Sequence, residues 1–549
     1  IGHGGAGGVA DSVTGNITLT NITLDANGDG DGAGGAAQLK VKSTTGNITL
    51  AGTIDLNADP DVTAQANDIE IIAENGSIIN ASGSVTAIDE VDNLVLTAKG
   101  SIGTAAAPIT VNAKSITLTS NATTGTPNIY IENNPNVLDR DAGSSDVTLG
   151  TVTTGTRLGN ISYKQTGQNL LVSGAVTSNG GNILIDPPVD VTVTADINAA
   201  GGNITLQASN DISFTTGDLI TSGTGTILVQ ADSDSDGAGN LTFTNAGTAG
   251  DEKIRVGAGT IQLRGEHISL NDFSAITTGK IDILAGQGGA STGEVFSGAA
   301  ANTSFDLSAA TFDIEAKGAG IGQSGGNTLE ILSSGQVDAE ADGAIHITSV
   351  AGNALSVGLI DAAANTVTLV GNNGVTDTGT DAATDVIATT LTINDGAAGS
   401  AGTITLDTAV TTLNLNGGAV TIHDGDGIDI TSITATSLDL LTNGKITDSG
   451  DIDVTGEAKF NSTGNEILLG DGKAADGTTV VAETTGFGWL DFAGGVITIS
   501  EDDSMAIAAS EATGALSLPA NGAITQTTDA TAGPIDAIST SSFDAGANV

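Results

Sequence analysis

A short phrase recurs along this chain at a nearly constant interval, and it constrains the fold more than any other feature. It occurs as GNILI, GNITL and GTILV, in which Ile183, Ile204 and Ile227 occupy the same place, 21 and 23 residues apart. Self-similarity at a period of this length is typical of a solenoid, in which each repeat packs mainly against its neighbours. The chain therefore returns to an equivalent position after each interval.

Three short runs of alternating apolar and polar residues fill one interval. They lie at Asn203–Leu206, Asp211–Phe214 and Asp218–Thr221 and are separated by Gly, Ser, Asn and Thr. A period of two places Ile and Leu on one side of a strand and Asn and Thr on the other. Equivalent strands stacked about 4.8 Å apart would enclose the apolar side along a common axis. The sequence predicts an all-β fold, a parallel β-solenoid with three strands and about 21 residues per coil.

The composition suits a narrow aliphatic core that runs the length of the chain. Aromatic residues make up 2% of the 549 residues, whereas a globular core relies on aromatic side chains for buried area. We predict one continuous solenoid over residues 1–549, with regular coils over 1–316 and looser coils over 317–549. In the later part, Val367, Leu391 and Ile404 are 24 and 13 residues apart. A second solenoid domain that begins near Gly318 is the alternative.

The charge of the chain excludes one large class of partners. Its 64 acidic and 15 basic residues give a formal net charge of −49, and binding to a phosphate backbone needs Lys and Arg. Nucleic acid is therefore not an expected partner. The absence of cysteine excludes disulfides and thiol chemistry. No apolar run reaches the roughly 18 residues of a membrane-spanning helix, so no membrane span is predicted in this segment.

Two polar insertions lengthen the interval, and both carry alternating oxygen-bearing side chains. The candidate ligands are Asp25, Asn27, Asp29 and Asp31 in the first insertion and Asp232, Asp234 and Asp236 in the second. Several such oxygens on a backbone that can turn at glycine are what Ca²⁺ requires, at about 2.3–2.6 Å. The sequence predicts a calcium ion in these loops. A solvated acidic turn without an ion is the alternative.

These loops differ from the helix–loop–helix calcium motif. That motif places a bidentate Glu at its twelfth position, where this chain has Gln38 and Phe243. The predicted site is therefore an acidic loop on a solenoid.

Parallel β-solenoids also serve as polysaccharide-cleaving enzymes, so signals of catalysis need their own examination. Such an enzyme needs clustered carboxylates on neighbouring coils as acid and base. The tripeptide around His3 matches one used by some of these hydrolases, but no carboxylates accompany it at a recognisable spacing. We predict no enzymatic activity. The enzyme alternative predicts a groove where three or more carboxylates, or a basic residue, converge on adjacent coils.

Several phrases carry a likeness to a known family. They are IGHGG at the start, GSIGTAAAPITVNAKSITL at 100–118, SDSDGAGNLTF at 233–243 and AKGAGIGQSGGNTLEIL at 316–332. In this style of repeat the chain resembles the large filamentous-haemagglutinin-like proteins of bacterial surfaces. The resemblance implies a right-handed parallel β-helix, export to the outside of a Gram-negative-type cell, and work as an adhesin, stalk or filament. The chain is then expected to be a segment of a longer repetitive protein.

These observations lead to a prediction of function and partners. We expect an extracellular, non-enzymatic fibre segment that holds surfaces apart or adheres to them and that calcium stiffens. Neither end of the sequence has a capping pattern, so we expect the segment to stack against more of the same solenoid. Surface glycans or other cells are the other expected partners. A polymerising sheath or filament subunit without an adhesive ligand is a further alternative.

Overall fold

The structure, a computed structural model, consists of two compact units, Ile1–Gly293 and Glu294–Val549. It describes residues 12–23, 38–56, 67–81, 86–135, 146–187, 189–221, 223–244, 254–270, 274–288, 292–297, 305–325, 327–350, 352–379, 382–395, 402–473, 478–527, 535–537 and 540–546. Every regular element in these ranges is a β-strand. Within the same ranges, no helix has the length and apolarity needed to cross a membrane. The prediction of one domain with looser coils after residue 316 stays a prediction.

The strands of the first unit mostly have two to six residues. They are β1 Ser12–Val13, β2 Ile17–Leu19, β3 Ile22–Thr23, β4 Gln38–Ser43, β5 Ile48–Leu50, β6 Ile54–Asp55, β7 Asp68–Ala73, β8 Ile78–Asn80, β9 Ile88–Ala98, β10 Ile109–Ser120, β11 Ile129–Asn133, β12 Asp146–Thr153, β13 Ile161–Gln165, β14 Asn169–Val172, β15 Val176–Thr177, β16 Ile183–Asp186, β17 Val191–Val193, β18 Ile197–Asn198, β19 Ile204–Gln207, β20 Ile212–Phe214, β21 Leu219–Thr221, β22 Ile227–Gln230, β23 Leu241–Phe243, β24 Ile254–Val256, β25 Ile261–Gly265, β26 His267–Leu270, β27 Ala275–Ile276 and β28 Lys280–Ala285.

From the unit boundary onward, several strands are longer. They are β29 Gly293–Phe296, β30 Leu307–Ala309, β31 Thr311–Ala316, β32 Gly318–Ile321, β33 Leu329–Ser333, β34 Val337–Ala341, β35 Ile345–Ser349, β36 Leu355–Asp361, β37 Thr366–Val370, β38 Gly374–Asp377, β39 Val386–Asn394, β40 Thr403–Asn416, β41 Ala419–Asp424, β42 Ile428–Ala435, β43 Ser437–Thr442, β44 Ile446–Asn461, β45 Ile467–Leu469, β46 Thr485–Gly494, β47 Ile497–Ile499, β48 Met505–Ala512, β49 Leu516–Ala520, β50 Ile524–Gln526, β51 Ile535–Ala537 and β52 Ser541–Ala545.

Strands of the first unit pair in parallel with the equivalent strands of neighbouring coils. Around the predicted repeat, β16 pairs with β19, β17 with β20 and β18 with β21. The three strands expected within one interval are present as β19, β20 and β21. The parallel β-solenoid and its three-stranded coil are therefore confirmed. Its right-handed sense, which the family resemblance implies, stays a prediction.

A row of isoleucines runs through the stacked strands of the first unit that include β16, β19 and β22. Its register partners are Ile17, Ile48, Ile78, Ile102, Ile129, Ile161, Ile183, Ile204, Ile227, Ile261 and Ile281. All except Ile17, which is half-buried, are at most 2% exposed. Burial of one such side chain stabilises a fold by about 1.5–3 kcal/mol. The isoleucine that recurs in the sequence therefore occupies the same register position in successive coils and is buried in the core.

A second row explains the Asn that precedes many of these isoleucines. The Asn182 side-chain Oδ1 accepts a hydrogen bond from the Asn203 backbone N–H at 3.0 Å, and the Asn203 Oδ1 accepts one from Thr226 at 2.8 Å. The same contact links Asn16, Asn47, Ser77, Ser101, Asn128, Asn160 and Asn182 in succession, at 2.9–3.1 Å. A side-chain oxygen of each of these coils therefore accepts a hydrogen bond from a backbone N–H of the coil that follows it.

The glycine before the Asn is required by close packing between coils. A Cβ atom on Gly202 would lie 2.1 Å from the Gly181 carbonyl oxygen, and one on Gly181 would lie 2.2 Å from that of Gly159. Neither distance is sterically possible. Nearby, the Thr221 hydroxyl donates to the Gly202 carbonyl at 2.6 Å and closes the turn.

The second unit is built by the same parallel stacking. One buried row contains Leu355, Val375, Ile404, Val420, Leu438, Ala458, Leu490 and Ile507. Leu391 pairs instead with Leu413, so Ile404 belongs to a different row. The short 13-residue spacing between Leu391 and Ile404 arises because β40 carries members of two rows: Ile404 pairs with β38, and Leu413 pairs with β39.

We expect Gly202→Ala to destabilise the first unit by roughly 1–3 kcal/mol, because the new methyl group would overlap the Gly181 carbonyl oxygen. Urea unfolding followed by circular dichroism measures the change. Gly486→Ala is the control, since no atom lies within 4 Å of a Cβ at that position. It should change the free energy of unfolding by about 0.5 kcal/mol or less. Equal unfolding midpoints for the two variants would contradict the close approach.

Candidate metal centre

The loop between β22 and β23 winds around the side chain of Asp232. Asp232 and Ser235 have φ angles of 54° and 60°, and the Ser235 N–H donates to the Asp232 carbonyl at 3.0 Å. The Gly237 N–H then donates to the Asp232 Oδ1 at 3.1 Å. The loop is fixed to the previous coil as well, since the Asp232 N–H donates to the Asn210 carbonyl at 3.2 Å. One carboxylate thus lies at the centre of a tight turn.

Three carboxylates converge in this loop. Asp232, Asp234 and Asp236 each have an oxygen within 4.8 Å of those of the others. Asp232 is fully buried, and its Oδ2 has no hydrogen-bond partner, while the other two side chains are exposed. Burial raises the pKa of Asp232, and the charges of Asp236 and Asp234 raise it further. Since a buried acceptor normally has a donor, this oxygen fits a cation bound between the three side chains.

The structure brings together one of the two predicted ligand sets. Asp232, Asp234 and Asp236 form the cluster just described. The other set, Asp25, Asn27, Asp29 and Asp31, lies outside the described residues. Calcium itself stays a prediction for both loops.

A second carboxylate cluster, which sequence analysis missed, lies in the second unit. Asp377, Asp385 and Asp407 have oxygens within 4.8 Å of one another. The Asp407 N–H donates to the Asp385 Oδ2 at 2.8 Å, and the His423 Nδ1 lies 3.4 Å from the Asp407 Oδ1. Burial, followed by the charges of Asp377 and Asp407, raises the pKa of Asp385 to about 7. Asp385 and Asp407 are one coil length, 22 residues, apart, which is the only signal in the sequence.

A third cluster lies further along the second unit. Asp448, Asp471 and Glu483 also have oxygens within 4.8 Å of one another. Both Asp448 oxygens accept from the Gly470 N–H, at 3.1 and 3.0 Å, and the Glu483 Oε1 accepts from the Gly472 N–H. Desolvation raises the pKa of Asp448 to about 7. The Glu483 Oε2 is buried without a hydrogen-bond partner.

Comparison with known proteins gives one match. Residues 417–483 and 493–549 match a family described as "Repeats of unknown function (DUF5649)". No curated protein and no solved structure matches the chain. The match supports a repeat protein, and the more specific resemblance to filamentous-haemagglutinin-like proteins stays a prediction.

Buried carboxylates make the second unit sensitive to pH. Desolvation raises the pKa values of Glu330, Asp385, Asp448 and Glu501 to about 7. The ordinary values, which apply in the unfolded chain, are about 4. Between these values the folded chain binds more protons at these four groups, so the stability that they contribute is greatest below about pH 4 and is lost as pH rises through about 7.

We therefore expect the melting temperature of the second unit to fall between pH 5 and pH 8. Each group contributes at most about 1.4 kcal/mol per pH unit to the slope. Glu330→Gln should flatten the slope, because it replaces a buried ionisable group by a neutral one of the same size. Glu511→Gln, at an exposed position, is the matched control and should leave the slope unchanged. Equal slopes for the two variants in calorimetry at several pH values would refute the assignment.

Proposed function

We propose that this chain is a segment of an extracellular structural or adhesive fibre on a bacterial surface, and that it is not an enzyme. The observation that supports this proposal best is the unbroken isoleucine row of the first unit. Because each coil contacts mainly its neighbours, such a stack gains length without a new kind of contact. A fibre that spaces or connects surfaces uses this property directly.

The charge of the chain suits a surface location. A formal net charge of −49 keeps such chains soluble, and acidic side chains discourage uncontrolled pairing at sheet edges. The partners proposed are surface glycans or other cells, together with neighbouring segments of the same solenoid. The end-to-end contact concerns residues 1–11 and 547–549, which lie outside the described ranges.

Binding to surfaces tests this function. The purified chain, coupled to beads, is offered to a glycan panel and to bacterial and animal cells, with uncoupled beads of matched negative charge as the control. We expect retention on at least one surface class, with competition by the free chain. Retention no greater than that of the control beads on every surface would contradict the adhesive role, and a purely structural fibre would be left.

Calcium bound in the loop of Asp232, Asp234 and Asp236 is part of the proposal. Its support is the buried Oδ2 of Asp232, which has no hydrogen-bond donor. An ion held there would tie the loop to the solenoid and stiffen it.

An ion that binds only the folded state raises its stability, by about 2.7 kcal/mol at a concentration one hundred times its Kd. We expect calcium to raise the melting temperature of the first unit and a chelator to lower it. Asp232→Asn should remove most of this response, whereas Asp186→Asn, on β16 of the same unit, should keep it. If calcium does not change the melting temperature of the wild-type chain, the proposed calcium site is wrong.

A polysaccharide-cleaving enzyme is the second candidate, and one observation favours it. Asp377, Asp385 and Asp407 converge on adjacent coils, as the enzyme alternative requires. With a pKa of about 7, Asp385 could act as the general acid while an ionised neighbour acts as the base. The buried position of Asp385 weighs against this function, since a catalytic acid must touch its substrate.

Release of new reducing ends from acidic polysaccharides distinguishes this candidate from the fibre. The fibre proposal predicts none from the purified chain. Activity that Asp385→Asn abolishes and Asp453→Asn preserves would establish the enzyme, because Asp453 is an exposed carboxylate outside the cluster.

A further inference from the structure

Three consecutive turns of the first unit lie on top of one another beside the Asp232 loop. They follow β22, β25 and β28, whose strands pair in that order. The first turn is the loop from Asp232 to Asn240, the second is the short link at Glu266, and the third begins at Gly286. The short turn at Glu266 therefore lies between two longer turns, the Asp232 loop and the turn that begins at Gly286.

Buried oxygens without donors are concentrated in these turns. Four of the seven such side-chain atoms among the described residues are the Asp232 Oδ2, the Asn240 Oδ1, the Glu266 Oε2 and the Gln287 Oε1. Asp232 and Glu266 are 0% and 3% exposed. All four atoms are acceptors, and two belong to carboxyl groups. Leaving a buried acceptor unpaired is costly, so four of them on three stacked turns point to a partner that all can share.

Backbone contacts join the three turns closely. The Glu266 N–H donates to the Gly239 carbonyl at 2.7 Å, and the Gly286 N–H donates to the Glu266 carbonyl at 3.0 Å. A Cβ atom on Gly288 would lie 2.3 Å from the Gly237 nitrogen and 3.0 Å from the Asp232 Oδ2. The third turn thus reaches over the short second turn and packs on the first. Gln287 lies between the residue bonded to Glu266 and the residue against Asp232.

The orientation of the Glu266 side chain is fixed independently. Its Oε1 accepts a hydrogen bond from the Thr292 hydroxyl at 2.6 Å, and its Oε2 is left without a donor. An outer partner of this kind commonly orients a carboxylate that binds a metal.

We propose that one divalent cation is shared by these three turns, with Glu266, Gln287 and Asn240 joining Asp232, Asp234 and Asp236 as ligands. This inference rests on the proposed calcium loop and adds ligands from two further coils. The oxygens of Asp232, Asp234 and Asp236 lie within 4.8 Å of one another, and the Glu266 carboxylate is outside that group, so calcium binding must draw its side chain towards the loop. With Gln287 and Asn240 the bound ion then has six oxygen donors, which matches the six to eight that Ca²⁺ takes, whereas Mg²⁺ keeps several waters and rarely occupies an all-protein cage. The ion then joins consecutive coils, and its loss loosens all three turns.

Calcium binding to variants of the full chain tests the shared site. Equilibrium dialysis after chelator treatment gives the number of ions bound and their affinity. Glu266→Gln should weaken the binding of one calcium ion by at least tenfold. Gln287→Met, which removes the side-chain oxygen at similar size, should weaken the binding of the same ion severalfold. Glu132→Gln changes a glutamate on β11 of the same unit and should leave binding unaltered.

Hydrogen exchange on the wild-type chain supplies a test that does not depend on variants folding. Calcium should slow exchange of the amides of Gly237, Glu266 and Gly286 together, because each bridges or borders the site. Magnesium at the same concentration should have a smaller effect. Protection limited to Gly237 would overturn the shared site.

The outcomes separate this inference from the calcium loop on which it rests. If Asp232→Asn abolishes one bound ion while Glu266→Gln and Gln287→Met bind it as the wild type does, the loop site stands and the shared site falls. If the wild-type chain has no ion that depends on Asp232, both proposals fall.

Discussion

The hydrogen bonds that join each coil to the next are the interaction on which the rest of this structure depends. Parallel strand pairing fixes the spacing between coils, and the Asn side chains, such as that of Asn203, continue it through the turns. A slip of one residue would move a whole apolar row to the outer face. The isoleucine row stays in register because Gly202 and its equivalents allow the turns to approach more closely than any other residue would.

This constraint leaves the turns as the place where the chain varies. Insertions there change neither the strand register nor the core, so a loop such as the one at Asp232 can lengthen at little cost to the stack. Stacking brings turns of successive coils side by side, and side chains far apart in sequence then share one environment. Asp385 and Asp407 meet in this way in the second unit, and Glu266 meets the Asp232 loop in the first.

Acidic residues give these stacked turns their electrostatic character. An exposed carboxylate on a strand costs little, but a carboxylate enclosed between turns loses its hydration and must find a donor, a proton or a cation. Asp448 has the Gly470 N–H, whereas Glu330 has its pKa raised to about 7 by burial alone. Asp232 differs from both, since one of its carboxylate oxygens is buried without a hydrogen-bond partner. Proton binding and cation binding are therefore alternative ways of stabilising the same kind of turn.

The sequence by itself determined the repeat, the strands and the parallel stacking, because a period of two and a recurring isoleucine are local patterns. It also determined the Asp232, Asp234 and Asp236 cluster, whose members lie within five residues. Only the tertiary structure decided that Glu266 and Gln287 lie beside that loop and that Ile404 belongs to a separate row. Those relations depend on the length of every intervening turn and on which turns are stacked, and no local pattern records either.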